Sequence, residues 1–220
     1  MNSSIDNGRI QPLVLTVPGL DNSGAGHWQS IWERERADCQ RADLGMWSNP
    51  HRNSWVTMLN SAIRQADCPV ILAAHSLGCL AVAWWAALET QSYGNPVAGA
   101  LLVAPPDVDA AGPDPRLAGF GPAPKVILPF PSVTIASSND PYIDLARARS
   151  LAKFWGSHFV EIGDAGHVNA ESGLGDWQEG QQWLDRLLGL ATGDDVRSEI
   201  LGKSIFSSSL KGIRPISIDS

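Results

Sequence analysis

Val70-Ile71-Leu72-Ala73-Ala74-His75-Ser76-Leu77-Gly78 is the stretch whose reading decides the fold. Its first five residues form an unbroken β-rich apolar run. From Leu77 to Gln91 apolar residues fall on nearly every side of a helix. A buried strand therefore runs into a buried helix, with His75 and Ser76 at the join. Ala74, Ser76 and Gly78 fit the G-x-S-x-G pattern of a nucleophile elbow, with alanine in the first position. About one chain in six of this length would carry that pattern by chance, so its placement carries the weight. The chemistry needs a strained strand-to-helix turn that lifts the serine Oγ clear of the sheet, with small residues two before and two after it. A plain helix N-cap is the ordinary alternative for Ser76. His75, its immediate chain neighbour, is badly placed to be its base and is expected to pack or gate.

Outward from this junction the chain alternates. Pro12 to Val17 reads as a buried strand closed by Pro18-Gly19, and further strands are expected at 99–103, 132–137 and 157–161. Trp28, Ile31, Trp32 and Glu35 recur at helical spacing, as do Trp55, Val56, Leu59, Ile63 and Ala66 behind a cap at Asn53 or Ser54. Helices are also expected around 141–154 and 176–190. Apolar strands alternating with helices imply an α/β fold whose mostly parallel sheet, of about six strands, is covered on both faces. Its active site would lie beyond the strands' carboxyl ends. Residues 104–131 carry eight prolines; too short and broken for a lid domain, they are expected to form a wall at the sheet's upper edge. The organisation expected is an N-terminal extension over 1–11, one domain over 12–191, and a mobile tail over 192–220.

A serine hydroxyl needs a base, and in an elbow fold the partners follow in the order serine, acid, histidine, each after a later strand. Asp140 follows the strand at 132–137, and His167 follows the strand at 157–161 in Gly163-Asp164-Ala165-Gly166-His167. Asp140 before Pro141 also reads as a helix cap, and Asp164 and Asp107 compete for the acid's role. His27 and His51 precede the serine, and His158 falls inside a strand. The Leu77 N–H, at the helix start, is suited to stabilise an oxyanion. Leu20, in Pro18-Gly19-Leu20-Asp21-Asn22, is the candidate for a second such N–H, against an ordinary Pro-Gly turn. Core packing accounts for Trp28, Trp32, Trp84, Trp85 and Trp183, while Trp47 or Trp55 is expected to line the pocket.

The composition narrows the partners. Of 220 residues 44% are hydrophobic and 18% charged, which suits an ordinary globular chain. A net charge of −7 with no basic stripe speaks against nucleic acid. The apolar run around 70–88 is broken by His75, Ser76 and Gly78, so no membrane span is expected. Cys39, Cys68 and Cys79 have no metal-ligand spacing and cannot all pair, and the start shows no secretion signal. A reducing, cytoplasmic setting follows. A small neutral substrate fits best.

Pro18-Gly19-Leu20 with His27-Trp28-Gln29, Trp47 to Trp55, His75-Ser76-Leu77-Gly78, Ser138 to Tyr142, and Gly166 to Gly173 together resemble the small, lidless serine hydrolases of the retinoblastoma-binding-protein type, within the α/β-hydrolase superfamily. The likeness runs from about Leu13 to Leu188. It implies a three-layer α/β-hydrolase fold without a lid domain, a triad of Ser76, Asp140 and His167, no cofactor or metal, and activity on esters or other small acyl compounds. An amidase or aminopeptidase on the same triad, and a catalytically weak binding protein on this scaffold, are the alternatives. Ala74 departs from the family's usual glycine.

Overall fold

The structure, a computed structural model, describes residues 5–6, 9–110 and 114–193. The tail expected from 192 lies outside them beyond residue 193, as do residues 1–4 and 7–8 of the expected extension. A short antiparallel pair, β1 (Ile5–Asp6) and β2 (Arg9–Ile10), leads into the main body. There the chain runs β3 (Leu13–Val17), α1 (Trp28–Glu35), β4 (Cys39–Arg41), α2 (Arg52–Arg64), β5 (Val70–His75), α3 (Leu77–Leu88) and β6 (Val97–Val103). It continues through β7 (Ser132–Ala136), α4 (Leu145–Trp155), β8 (His158–Glu161) and α5 (Gln178–Thr192).

Six strands make one sheet in the order β4-β3-β5-β6-β7-β8, every neighbouring pair parallel. Because side chains alternate along a strand, β5 sends Val70, Leu72 and Ala74 to one face and Ile71 and Ala73 to the other. Helices α2, α3 and α4 cover the first face; α1 and α5 cover the second. This two-sided burial is why β5 and β6 read as unbroken apolar runs. From β3 the chain goes to one side for β4 and to the other for β5, so a crevice opens beyond their carboxyl ends.

Several boundaries differ from the sequence reading. Helix α2 begins one or two residues before the expected caps, with His51 in the cap position and no side-chain capping bond. Helix α4 begins at Leu145 behind Asp144 and not at Pro141, because Asp140 and Pro141 lie in a separate turn closed by the Tyr142 N–H onto Asp140 Oδ1 at 2.9 Å. Strand β4 was not expected. Its Cys39-Gln40-Arg41 is too polar and short to stand out, yet it pairs with Val14 to Thr16 of β3.

Tryptophans do two jobs. Trp28, Trp32, Trp55, Trp85 and Trp155 are almost wholly buried, each taking roughly 150–250 Å² out of water. Their indole N–H groups also tie neighbouring segments down. Trp155 donates to Pro124 O at 3.0 Å and the half-buried Trp84 to Phe120 O at 2.7 Å, and together they fasten the proline-rich wall.

The elbow is tight. A Cβ on Gly78 would lie 2.2 Å from the Val17 carbonyl oxygen and 2.7 Å from that of Pro18. The G78A variant is expected to lose about 3 kcal/mol of stability, whereas G24A, with open space around it, should stay within about 0.5 kcal/mol; thermal melts of the pair check this. Two buried imidazoles supply a pH dependence. Burial, followed by the positive charge of Arg41, pushes His27 down to about 4; burial likewise holds His75 well below the usual histidine range. Between about pH 6.5 and 4 the unfolded chain takes up protons that the folded chain refuses. Stability should therefore be fully present above pH 6.5 and fall on acidification, by about 1.4 kcal/mol per pH unit for each histidine. Denaturant titrations across this window should give a shallower slope in H27Q than in the parent.

Candidate active site

Ser76 closes β5 and stands in the N-cap position of α3 with φ 52° and ψ −125°, and its side chain makes no capping bond. A non-glycine residue in that region is strained. Its N–H donates to Val103 O at 2.9 Å and its carbonyl accepts from Cys79 N–H at 2.9 Å, so both neighbours hold the turn. Alanine suffices at the position before the turn: Ala74 is fully buried and paired in register with Val17 and Leu102. Gly19 is needed on the opposite wall, since a Cβ there would lie 2.8 Å from Ser76 Cβ.

The structure brings Ser76, His167 and Asp140 together from the ends of β5, β8 and β7. The Ser76 hydroxyl lies 2.8 Å from His167 Nε2. His167 Nδ1 lies 2.9 Å from both oxygens of Asp140, whose side chain is fully buried. A ring that donates Nδ1–H to a carboxylate presents its Nε2 lone pair to the hydroxyl, the arrangement that removes a serine proton. The competing acids stand elsewhere: Asp107 pairs with Arg147 at 3.1 Å, and Asp164 is exposed.

Leu77 is the first residue of α3, so its N–H lies outside the intrahelical ladder. A Cβ on Gly19 would lie 3.1 Å from that nitrogen, which brings the loop containing Leu20 against the helix start. Asp21 and Asn22 follow with φ of 60° and 66°. Arg41, from the unexpected strand β4, holds this loop by donating to Asn22 Oδ1 at 3.0 Å and Ser23 O at 3.2 Å. Gln29, buried, accepts from Ser23 Oγ at 2.6 Å and donates to Ala73 O at 2.8 Å.

A cavity of about 180 Å³ opens at Ser76 and His167, with Leu20, Leu117 and Tyr142 on its walls. Tyr142 packs on the His167 ring with centroids 4.4 Å apart. Across the rim, Arg116 from a 3-10 turn at Pro115–Phe120 binds Asp21 at 2.9 Å, Asp114 at 2.6 Å and Ser48 O at 3.1 Å. Its hydrogen bonds to Asp114 and then Asp21 raise the guanidinium's pKa, and the bond from Arg116 lowers that of Asp114. Neither Trp47 nor Trp55 lines the cavity, contrary to the sequence reading. Trp55 is fully buried with its N–H on Gly45 O at 2.9 Å, and Trp47 packs against it while its carbonyl accepts from Asp21 N–H at 2.9 Å. A larger cavity, about 430 Å³, lies beside β4 and α2; it holds Cys68 but no residue of the Ser76 cluster. Burial pushes the Cys39 thiol up to about 12 and that of Cys79 still higher, so neither is a nucleophile.

Among the described residues no three His, Cys, Asp or Glu side chains are grouped to hold a metal ion. No helix there is long and apolar enough to cross a membrane.

Comparison with known proteins agrees with this architecture. The model of the serine hydrolase family matches residues 14–186. A crystal structure described as a YdeN-like hydrolase from Pectobacterium atrosepticum is 33% identical, covers 83% of this chain and 93% of its own, and superposes with a TM-score of 0.73. The ydeN gene product of Bacillus subtilis shares the fold at 19% identity, TM-score 0.61, over 87% of this chain and 100% of its own. So does Est1E from Butyrivibrio proteoclasticus at 14% identity, TM-score 0.59, over 90% and 91%. A search of curated proteins found no significant match. The three-layer sheet with no lid domain among the described residues, the elbow at the end of β5 and the family match over most of the chain lead to one assignment: this chain belongs to the serine hydrolase family.

Proposed function

We propose that the protein cleaves small carboxylic esters or related acyl compounds through a Ser76-His167-Asp140 triad and an acyl-enzyme. The observation that carries this reading is the 2.8 Å contact between Ser76 Oγ and a His167 ring whose far nitrogen is held by a buried carboxylate. His167 Nε2 takes the hydroxyl proton as Ser76 Oγ bonds to the acyl carbon. The carbonyl π electrons move onto oxygen, which the Leu77 and Leu20 N–H groups stabilise. Collapse of this intermediate expels the alkoxide, which receives the proton from His167. Water, deprotonated by the same ring, then attacks the acyl carbon and releases the acid, and the proton returns to Ser76. Asp140 keeps the ring in the Nδ1–H tautomer throughout.

A cavity of about 180 Å³ is small beside the roughly 300–1,000 Å³ usual for ligand pockets, which supports a preference for short acyl groups. The unpaired Cys39, Cys68 and Cys79 support a reducing, cytoplasmic setting.

A fluorophosphonate probe tests the chemistry. Labelling of the parent, its absence in S76A and its sharp loss in H167A are expected; an unlabelled parent leaves a binding protein on a hydrolase scaffold. D140N should keep the fold and lose on the order of 10⁴-fold in kcat, because the amide favours the wrong tautomer. Across p-nitrophenyl esters kcat/KM should be highest for the short acyl groups and fall as the chain lengthens, because the cavity is small beside the usual range. A steady rise with chain length would overturn the short-acyl reading, and a peptide panel separates esterase from amidase.

A further inference from the structure

The base's loop has an unusual backbone. Val168, directly after His167, has φ of 52°, a region that β-branched residues almost never occupy. Turning over the peptide that joins residues 167 and 168 would relieve this, because such a flip changes ψ of the first residue and φ of the second together. Within the loop only a long bond, Val168 N–H to Ala165 O at 3.3 Å, opposes the flip, and the side-chain fastenings of the preceding residues do not reach that peptide. Ser137 Oγ accepts from Ala165 N–H at 2.9 Å and Asn139 Oδ1 from Gly166 N–H at 2.7 Å, and both stop short of His167.

The carbonyl groups of 167 and 168 are held from another direction. His75 Nε2–H donates to His167 O at 2.9 Å, and Trp28 Nε1–H donates to Val168 O at 3.0 Å. Both donor residues are buried, at 5% and 1% exposure, so water cannot take their place cheaply. His27, next to Trp28, backs the His75 ring with centroids 4.6 Å apart. His75 is also covalently adjacent to Ser76. One elbow therefore carries the hydroxyl and the group that fixes the main chain of the imidazole facing it.

We propose that His75 and Trp28 are positioning residues that lock the 167–168 and 168–169 peptides respectively and so hold His167 Nε2 on Ser76 Oγ. The inference rests on reading His167 as the base. It gives the imidazole beside the serine, whose ring also lines the cavity, a role that needs no proton transfer: one buried N–H at a fixed height above the sheet, which a neutral ring supplies.

The test compares H75L, H75Q and W28F with the parent. In H75L, kcat for p-nitrophenyl acetate should fall about 10- to 100-fold, the scale of a misplacement near 1 Å, with KM within about threefold. H75Q, whose amide N–H reaches close to the same place, should recover most of that loss. The downfield proton NMR signal of His167 Nδ1–H should persist in the parent and H75Q and shift or broaden in H75L. W28F, which removes a donor while keeping an aromatic ring, should move kcat and the proton signal in the same direction, and it carries the test if H75L does not fold. A merely structural role would lower the melting temperature and leave kcat and the proton signal untouched; that result overturns the proposal. Failure of the parent to label with fluorophosphonate overturns the hydrolytic reading instead, while the NMR comparison still decides whether the peptide is locked.

Discussion

The close approach of α3 to the loop after β3 is the constraint from which the site follows. With hydrogen alone at Gly78 and Gly19, the carbonyl groups of Val17 and Pro18 press against the helix and the opposite backbone reaches Ser76. This contact forces Ser76 into its strained conformation and, by the same geometry, brings the Leu77 N–H beside the loop that contains Leu20. Separating the two backbones by one methyl group would relax the strain and move the Leu77 N–H away from the loop together. Strain at one residue is here the direct cost of packing a helix against a neighbouring turn.

The remaining parts are fastened mostly by side-chain donors bound to main-chain oxygens. Indoles from α1, α3 and α4 reach Val168, Phe120 and Pro124, and the imidazole of His75 reaches His167. A loop cannot use a sheet ladder to satisfy its carbonyl groups, so a buried N–H from a rigid element is the available substitute. His27, Trp28 and Gln29 divide this work at the start of one helix. The first backs His75, the second holds the loop that carries His167, and the third ties Ser23 to the central strand.

How far the sequence could be read depended on whether a feature was local or spatial. Apolar runs buried on both faces revealed β3, β5, β6 and β7, and the chain order of Ser76, Asp140 and His167 was legible because this topology delivers one loop per strand. Strand β4 escaped because Cys39-Gln40-Arg41 lies at the sheet's edge, where half the residues meet solvent and no apolar run forms. Its loss hid Arg41, the clamp on the loop that contains Leu20. The tryptophans were counted correctly as core, but spacing along a helix does not reveal which loop an indole N–H will meet. The expectation that Trp47 or Trp55 lines the pocket fails for the same reason: the two pack on each other. Asp140 before Pro141 reads both as an acid after β7 and as a helix cap; α4 instead starts behind Asp144, and the contact of Asp140 with His167 is a long-range one that local sequence does not display.

The hydroxyl and the imidazole stand on unequal ground. Ser76 directly follows β5, whose six residues are all buried between two neighbours, while His167 follows β8, an edge strand, where none of the four residues is fully covered. One partner thus stands at the end of a core strand, and the other beyond an edge strand. What the sheet gives the hydroxyl directly, the imidazole receives through bonds from the core, so a change buried beneath α1 can reach the site without touching it.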